Sequence, residues 1–120
     1  MLIKTLCAAL AGAAVLLALS APEERGKGVF TRRCTGCHAL DSNKEGPRLR
    51  GVYGRKAASV PGFGYSEALR KTTIVWNDAT LGRWLRDPDA MVPGTDMAFH
   101  VADAEERKAV IAYLKSLTPG

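Results

Sequence analysis

The spacing of apolar residues predicts helices and loops along this chain, and no segment alternates between apolar and polar residues as a strand would. The first predicted helix covers residues 23–33, with Val29 and Phe30 as its apolar contacts. A second, short helix is predicted over residues 67–71, where Ser66 is suited to cap the N-terminus. The pattern indicates an all-α domain.

The third predicted helix covers residues 78–86. Asn77 is suited to cap its N-terminus, and the dipeptide Asp87–Pro88 is expected to end it. Its apolar residues follow the i, i+3, i+4 spacing of a buried helix face. They are Leu81, Trp84 and Leu85.

The fourth predicted helix covers residues 104–117. Asp103 and Glu106 have the spacing of a capping box at its start, so each side chain is expected to bond the other residue's backbone. Its inward positions are expected to be Ala109, Val110, Tyr113, Leu114 and Leu117.

Two long loops separate these helices. Residues 41–61 are dense in glycine and proline, and residues 90–101 contain the turn Pro93–Gly94. Loops of this length are usually functional or disordered. We expect the loops and helices together to enclose a cofactor.

The N-terminal segment differs in composition from the rest of the chain. Residues 5–19 are almost wholly apolar and follow a positive charge at Lys4, and small residues precede a cleavage point after Ser20. This pattern favours a signal peptide over residues 1–20, followed by one domain over 21–120. The alternative is an uncleaved membrane anchor, although the apolar stretch is short for a span of about 20 residues.

The chain is moderately basic. It has 17 Lys and Arg residues against 12 Asp and Glu, a net charge of +5, and loss of Lys4 with a signal peptide lowers this to +4. Such a charge suggests protein partners with acidic surfaces and electrostatic steering towards them. No basic helix and no interleaving of basic and aromatic residues indicates nucleic-acid binding.

The motif Cys34-Thr35-Gly36-Cys37-His38 has the C-x-x-C-H spacing that attaches haem c. Cysteines three residues apart lie on nearly the same side of one helical turn, so both sulfurs can bond the vinyl groups on one porphyrin edge. His38 can then reach the iron. A zinc site would need more ligands, with Cys7 and His100 as the remaining candidates. A dithiol oxidoreductase would need a strand-helix-strand pattern that the sequence does not show.

The second axial position of the iron has three candidates in the sequence. Met91, Met97 and His100 all follow the motif at a distance that allows the chain to cross the haem. Most methionines are core residues, but Met97 follows the Pro93–Gly94 turn in a loop and is the favoured ligand. An open position remains a further alternative.

Several short segments accompany the haem motif in a fixed order. They are Gly26-Lys27-Gly28-Val29-Phe30, residues 46–56, residues 64–68, Trp76, residues 81–85, residues 92–99 and Ile111-Ala112-Tyr113-Leu114. With these motifs the chain resembles the small class I cytochromes c of the mitochondrial and bacterial c2-like type, over residues 26–117. The resemblance implies the small cytochrome c fold, in which helices and loops wrap around one haem attached through Cys34 and Cys37.

The resemblance also implies roles for individual residues. His38 and Met97 would be the two iron ligands, and the carbonyl of Pro47 would accept a hydrogen bond from His38 Nδ1. The other implied contacts are with a haem propionate: hydrogen bonds from Tyr65 and Trp76, charge compensation by Arg55, and a contact from Thr95.

The function implied by the resemblance is that of a one-electron carrier and not of an enzyme. It would be a periplasmic, monomeric shuttle between respiratory or dehydrogenase partners, touching the membrane only through complexes or an uncleaved N-terminus. Two alternatives are a haem c subunit of an oxidoreductase complex and an enzyme or gas sensor with an open iron site. A basic rim for acidic partners is expected from Lys27, Arg32, Arg33, Arg48, Arg50, Lys56 and Lys71.

Three residues near the expected methionine ligand depart from the mitochondrial pattern. Asp96 stands where those proteins carry a lysine, and His100 and Asp103 stand where a smaller or basic residue is common. These differences argue against a standard mitochondrial oxidase as the partner.

Overall fold

The computed structural model describes residues 22–119, so the predicted signal peptide over residues 1–20 lies outside the described part. Five helices lie within that range. Helix α1 is helical from residue 22 to residue 33, and the others are α2 (Glu67–Arg70), α3 (Asp78–Arg86), α4 (Pro88–Met91) and α5 (Ala104–Ser116). No helix in residues 22–119 has the length and apolar composition needed to cross a membrane.

The predicted caps of α2 and α3 are present. The Ser66 hydroxyl accepts a hydrogen bond from the backbone N–H of Leu69 at 3.2 Å. Asn77 accepts from the N–H of Thr80 at 2.9 Å, and the Thr80 hydroxyl accepts in return from the N–H of Asn77 at 2.8 Å. These bonds satisfy backbone donors that have no partner inside a helix, so both helices begin where the sequence indicates.

The short helix α4 is a departure from the sequence analysis, which assigned Ala90 to a loop. Asp87 ends α3 and also caps the next helix, since its carboxylate accepts a hydrogen bond from the N–H of Ala90 at 3.2 Å. Pro88 occupies the first turn of α4, where its missing N–H removes no hydrogen bond. The loop therefore begins at Val92.

Only one half of the predicted capping box of α5 is present. Asp103 accepts hydrogen bonds from the N–H groups of Glu105 and Glu106 at 2.8 and 3.2 Å. The Glu106 carboxylate instead pairs with the Arg33 guanidinium at 3.1 Å. Arg33 of α1 has thus replaced the backbone N–H of Asp103 as the partner of Glu106, and this ion pair links α1 to α5.

Helices α1 and α5 pack closely against each other. A Cβ atom on Gly26 would overlap the carbonyl oxygen of Ala109, so only glycine allows this approach. The rings of Phe30 and Tyr113 lie 5.6 Å apart between centroids. Val110 is fully buried in the core. The helix pair forms one wall of the molecule.

The loop over residues 41–61 is held against the segment that precedes α3. No strand occurs within residues 22–119, but Lys56 and Val75 form an isolated backbone bridge. The N–H of Trp76 donates to the carbonyl of Arg55 at 2.9 Å, and the N–H of Gly54 donates to the carbonyl of Trp76 at 2.6 Å. Gly54 adopts φ of +87°, a conformation that favours glycine. The loop therefore forms a second wall, close to Trp76.

Candidate functional site

A cleft of about 340 Å³ lies between the helices and the two long loops. This volume falls within the range typical of small-molecule and cofactor sites. Most of its lining is apolar, and buried side chains from α3 and α5 form its floor. All nine residues that the sequence analysis named as cofactor contacts line it: Cys34, Cys37, His38, Pro47, Arg55, Tyr65, Trp76, Thr95 and Met97.

The C-x-x-C-H motif forms a turn directly after α1. The N–H groups of Cys37 and His38 both donate to the carbonyl of Cys34, at 3.1 and 2.9 Å. Burial raises the pKa of the Cys34 thiol to about 11. The Cys37 thiol donates to the Glu45 carboxylate at 3.5 Å, and this contact raises its pKa as well. As free thiols, both cysteines are therefore protonated at neutral pH.

The His38 ring is held in one tautomer. Its Nδ1 lies 2.8 Å from the carbonyl oxygen of Pro47, and since a carbonyl can only accept, Nδ1 carries the proton. Burial lowers the pKa of His38, while the Pro47 hydrogen bond acts in the opposite direction. The imidazole is thus neutral, with its lone pair on Nε2, which is the form that binds metals.

Gly46 determines how closely the chain approaches the His38 ring. A Cβ atom at Gly46 would lie 2.6 Å from Nδ1 and 2.7 Å from Nε2 of that ring. Real Cβ atoms essentially never approach so closely, so only glycine fits. The sequence analysis did not name Gly46 as a site residue. The available signal was its position directly before Pro47.

The Met97 side chain is half-buried and receives a hydrogen bond from Trp84, whose indole Nε1 donates to Met97 Sδ at 3.2 Å. Trp84 is buried on the face of α3, where the apolar spacing predicted it, but its polar contact was not predicted. Because a thioether is a weak acceptor, this bond orients the sulfur more than it stabilises the fold.

The loop that carries Met97 is attached to the helices on both sides. Val92 is buried, and its N–H donates to the carbonyl of Pro88 at 2.8 Å. After Met97, the N–H of Val101 donates to Leu85 at 2.7 Å, and Arg107 donates to the carbonyl of Val101 at 2.8 Å. Met97 therefore lies on a short, anchored loop.

The three candidates for the second iron ligand, in addition to His38, occupy different environments. Met97 lines the cleft, whereas Met91 lines a separate groove on the outer surface beside Lys71. His100 does not line the cleft, and its Nε2 lies 3.6 Å from the Asp87 carboxylate. Among the described residues, no group of three or more His, Cys, Asp and Glu side chains is arranged to hold a metal ion. Cys7, named for the zinc alternative, lies outside them.

One side of the cleft is suited to an anionic group. Arg55 is half-buried, which lowers its pKa, and no carboxylate within residues 22–119 pairs with it. The Tyr65 oxygen accepts from the N–H of Val60 at 3.0 Å, and no acceptor within residues 22–119 takes its own proton. Trp76 is buried beside Trp84, with ring centroids 5.2 Å apart. A large apolar disc with acidic groups on its edge fits this lining.

Comparison with known proteins agrees with this geometry. The family model of cytochrome c matches residues 23–118. The cytochrome c of Euglena viridis is 45% identical over 97 residues, which cover 78% of this chain and 95% of the relative. The chain belongs to the cytochrome c family. Cytochrome c2 iso-2 of Magnetospirillum molischianum is 41% identical over 87 residues, or 70% of this chain and 90% of the relative.

A solved structure supports the fold of this cytochrome c. Cytochrome cH from Methylobacterium extorquens matches with a TM-score of 0.74 and 40% identity, over 78% of this chain and 96% of the other. The family is an electron-transfer family and not a family of enzymes, and its members bind haem c covalently through the C-x-x-C-H motif. In this cytochrome c the motif is at residues 34–38.

Proposed function

We propose that this cytochrome c carries single electrons between respiratory or dehydrogenase partners outside the cytoplasm, with His38 and Met97 as the two axial ligands of its haem. The main support is that both side chains line one cleft and that each is oriented by a polar contact of its own. The bound haem c supplies the one-electron chemistry.

Contacts within the protein hold the two proposed iron ligands in place, so the site should change little between the oxidised and reduced states. The Nδ1–H of His38 donates a hydrogen bond to the Pro47 carbonyl, which increases the basicity of Nε2. The hydrogen bond from Trp84 and the anchored loop keep the Met97 sulfur in place. A thioether ligand raises the reduction potential relative to a second histidine. We therefore expect a positive potential and a small reorganisation on electron transfer.

Four further residues are proposed to bind the acidic edge of the haem. Arg55 offers a half-buried positive charge, and Tyr65 has a hydroxyl proton that is not used within the described residues. Trp76 and Thr95 line the same cleft. Together they would compensate a propionate that is removed from water, since an unpaired buried carboxylate is costly.

Export to the periplasm is proposed from the N-terminal sequence. Residues 5–19 are apolar and are followed by a cleavage point after Ser20. N-terminal sequencing of the protein purified from its own cells is expected to begin at Ala21. A retained N-terminus in the membrane fraction would instead support an anchored haem c subunit of a larger complex.

We propose that the protein is a monomer and that its partners are redox proteins with which it associates transiently. The net charge, +5 for the full chain and +4 without Lys4, favours long-range attraction to surfaces of negative charge. Their association should weaken steeply with added salt, because exposed charges are screened beyond about 10 Å at 0.1 M ionic strength. A rate of reaction that does not depend on salt would contradict this part of the proposal.

The ligand assignment is tested by replacing each methionine in turn. Met97→Ala is expected to abolish the weak charge-transfer band that sulfur ligation gives in the oxidised protein, to lower the potential and to allow rapid binding of carbon monoxide. Met91→Ala is the matched control and should retain the band, because Met91 lies outside the cleft. Survival of the band in Met97→Ala would refute the assignment.

A further inference from the structure

The segment that carries Met97 lacks backbone hydrogen bonds of its own. Within residues 22–119, no backbone N–H or carbonyl of residues 96–100 bonds another backbone group. The nearest such bonds on either side are donated by the N–H of Thr95, at 3.1 Å, and by the N–H of Val101, at 2.7 Å. The position of the Met97 backbone therefore depends on the residues that hold the two ends of this segment.

Val101 is the anchor at the C-terminal end of the segment. Its side chain is buried and lines the cleft, and its N–H donates to the carbonyl of Leu85 in α3. Its own carbonyl accepts from Arg107 Nη1 of α5 at 2.8 Å, and the same nitrogen donates to the carbonyl of Ala102 at 2.8 Å. Within residues 22–119, Arg107 is the only donor to either carbonyl, so Val101 is held from two helices.

The charge of Arg107 is not engaged in an ion pair. None of the ion pairs within residues 22–119 includes its guanidinium, although the preceding residue Glu106 pairs with Arg33. Arg107 is the fourth residue of α5, at the end of the helix where a positive charge is disfavoured by the helix dipole. Hydrogen bonds from a charged donor are stronger than those from a neutral one. The contact with the end of the Met97 segment therefore accounts for an arginine at this position better than the helix itself does.

We propose that Arg107 is a positioning residue for the second axial ligand: by holding Val101, it keeps the Met97 sulfur at the iron, although Arg107 itself does not line the cleft. Without Arg107, the carbonyl of a buried residue has no partner, and this cost is relieved when the end of the segment moves out into water. The segment then opens more often, and Met97 leaves the iron more often. This inference rests on the proposed role of Met97 and names the residue outside the cleft that maintains it.

Binding of carbon monoxide to the reduced holoprotein measures how often Met97 leaves the iron, because the gas needs the same coordination position. Arg107→Gln removes the charge and shortens the side chain by two bonds. It should bind carbon monoxide roughly tenfold faster, since opening of the wild type breaks two charge-assisted hydrogen bonds. Lys108→Gln is the matched control, because Lys108 is exposed at the next position of α5 and loses the same charge. Its rate should stay within about twofold of the wild type.

Amide hydrogen exchange in the reduced holoprotein separates this local role from a general loss of stability. In Arg107→Gln the amide of Val101 should exchange roughly tenfold faster, while the amide of Val110 inside α5 keeps its wild-type rate. Phe30→Leu, which weakens the packing of α1 on α5, should instead accelerate Val110 and leave the binding of carbon monoxide unchanged. Equal acceleration of Val101 and Val110 in Arg107→Gln would refute the proposal.

Two further outcomes are decisive. If Arg107→Gln does not fold, Arg107→Lys replaces it: its donor is one bond closer to the backbone and should bind carbon monoxide roughly threefold faster than the wild type, whereas the wild-type rate would refute the role of Arg107. If the wild-type protein lacks the charge-transfer band of sulfur ligation, the assignment of Met97 in the proposed function fails. The exchange rate of Val101 would still decide whether Arg107 holds this segment.

Discussion

Trp84→Phe removes the N–H that reaches the Met97 sulfur at 3.2 Å and keeps an aromatic ring in the core. A hydrogen-bond donor withdraws electron density from the thioether, and the oxidised iron needs that density more than the reduced iron. Loss of the donor therefore favours the oxidised state. We expect the reduction potential of this variant to fall.

The size of the effect follows from the strength of the contact. A neutral hydrogen bond contributes about 0.5–1.5 kcal/mol in a protein, and a one-electron equilibrium shifts by about 59 mV for each factor of ten. If the bond acts almost wholly in the reduced state, the potential falls by roughly 20–60 mV. A smaller change means that the bond is nearly as strong in both states.

The assay is a spectroelectrochemical titration of the wild-type and Trp84→Phe holoproteins at one pH and salt concentration. Phe30→Leu is the control for destabilisation, because Phe30 is a buried aromatic residue that does not line the cleft. It should lower the unfolding temperature and leave the potential unchanged. The reasoning fails if Trp84→Phe raises the potential or leaves it within error of the wild type.

Two further predictions concern local geometry. Gly46→Ala should lower the unfolding temperature and shift the His38 ring resonances of the oxidised protein, because the new methyl group would overlap the ring; Gly36→Ala, with open space at its Cβ, should do neither. Asp87→Ala should reduce the free energy of unfolding by about 1 kcal/mol in a denaturant titration through loss of the α4 cap, and Asp89→Ala, which caps nothing, should have less effect. Equal losses in the members of either pair would contradict the corresponding contact.

Local signals in the sequence predicted the helices well where the determining contacts are also local. Ser66 and Asn77 cap their helices through residues three positions away, and such bonds form whatever the rest of the chain does. The dipeptide Asp87–Pro88 was harder to interpret because the same residues that end one helix are suited to start another. Both interpretations follow the same capping rules, and α4 forms because Asp87 both ends α3 and caps the start of α4.

Glu106 shows where local reasoning fails. Its spacing from Asp103 predicts a capping box, but a guanidinium from α1 lies within reach in the folded chain. A carboxylate that can pair with a charged group is drawn away from a neutral backbone donor. No pattern in the α5 segment alone contains that competitor.

The amino-acid sequence by itself determined the haem motif, the family resemblance and the apolar faces of the helices, because each depends on the order and spacing of nearby residues. It favoured Met97 over Met91 and His100 as the second iron ligand beside His38, and tertiary packing decided that Met97 alone of the three lines the cleft. Packing also decided that the Trp84 indole reaches the Met97 sulfur and that Gly46 lies against the His38 ring. These contacts join segments that only the complete fold brings together, so the local spacing of residues does not predict them.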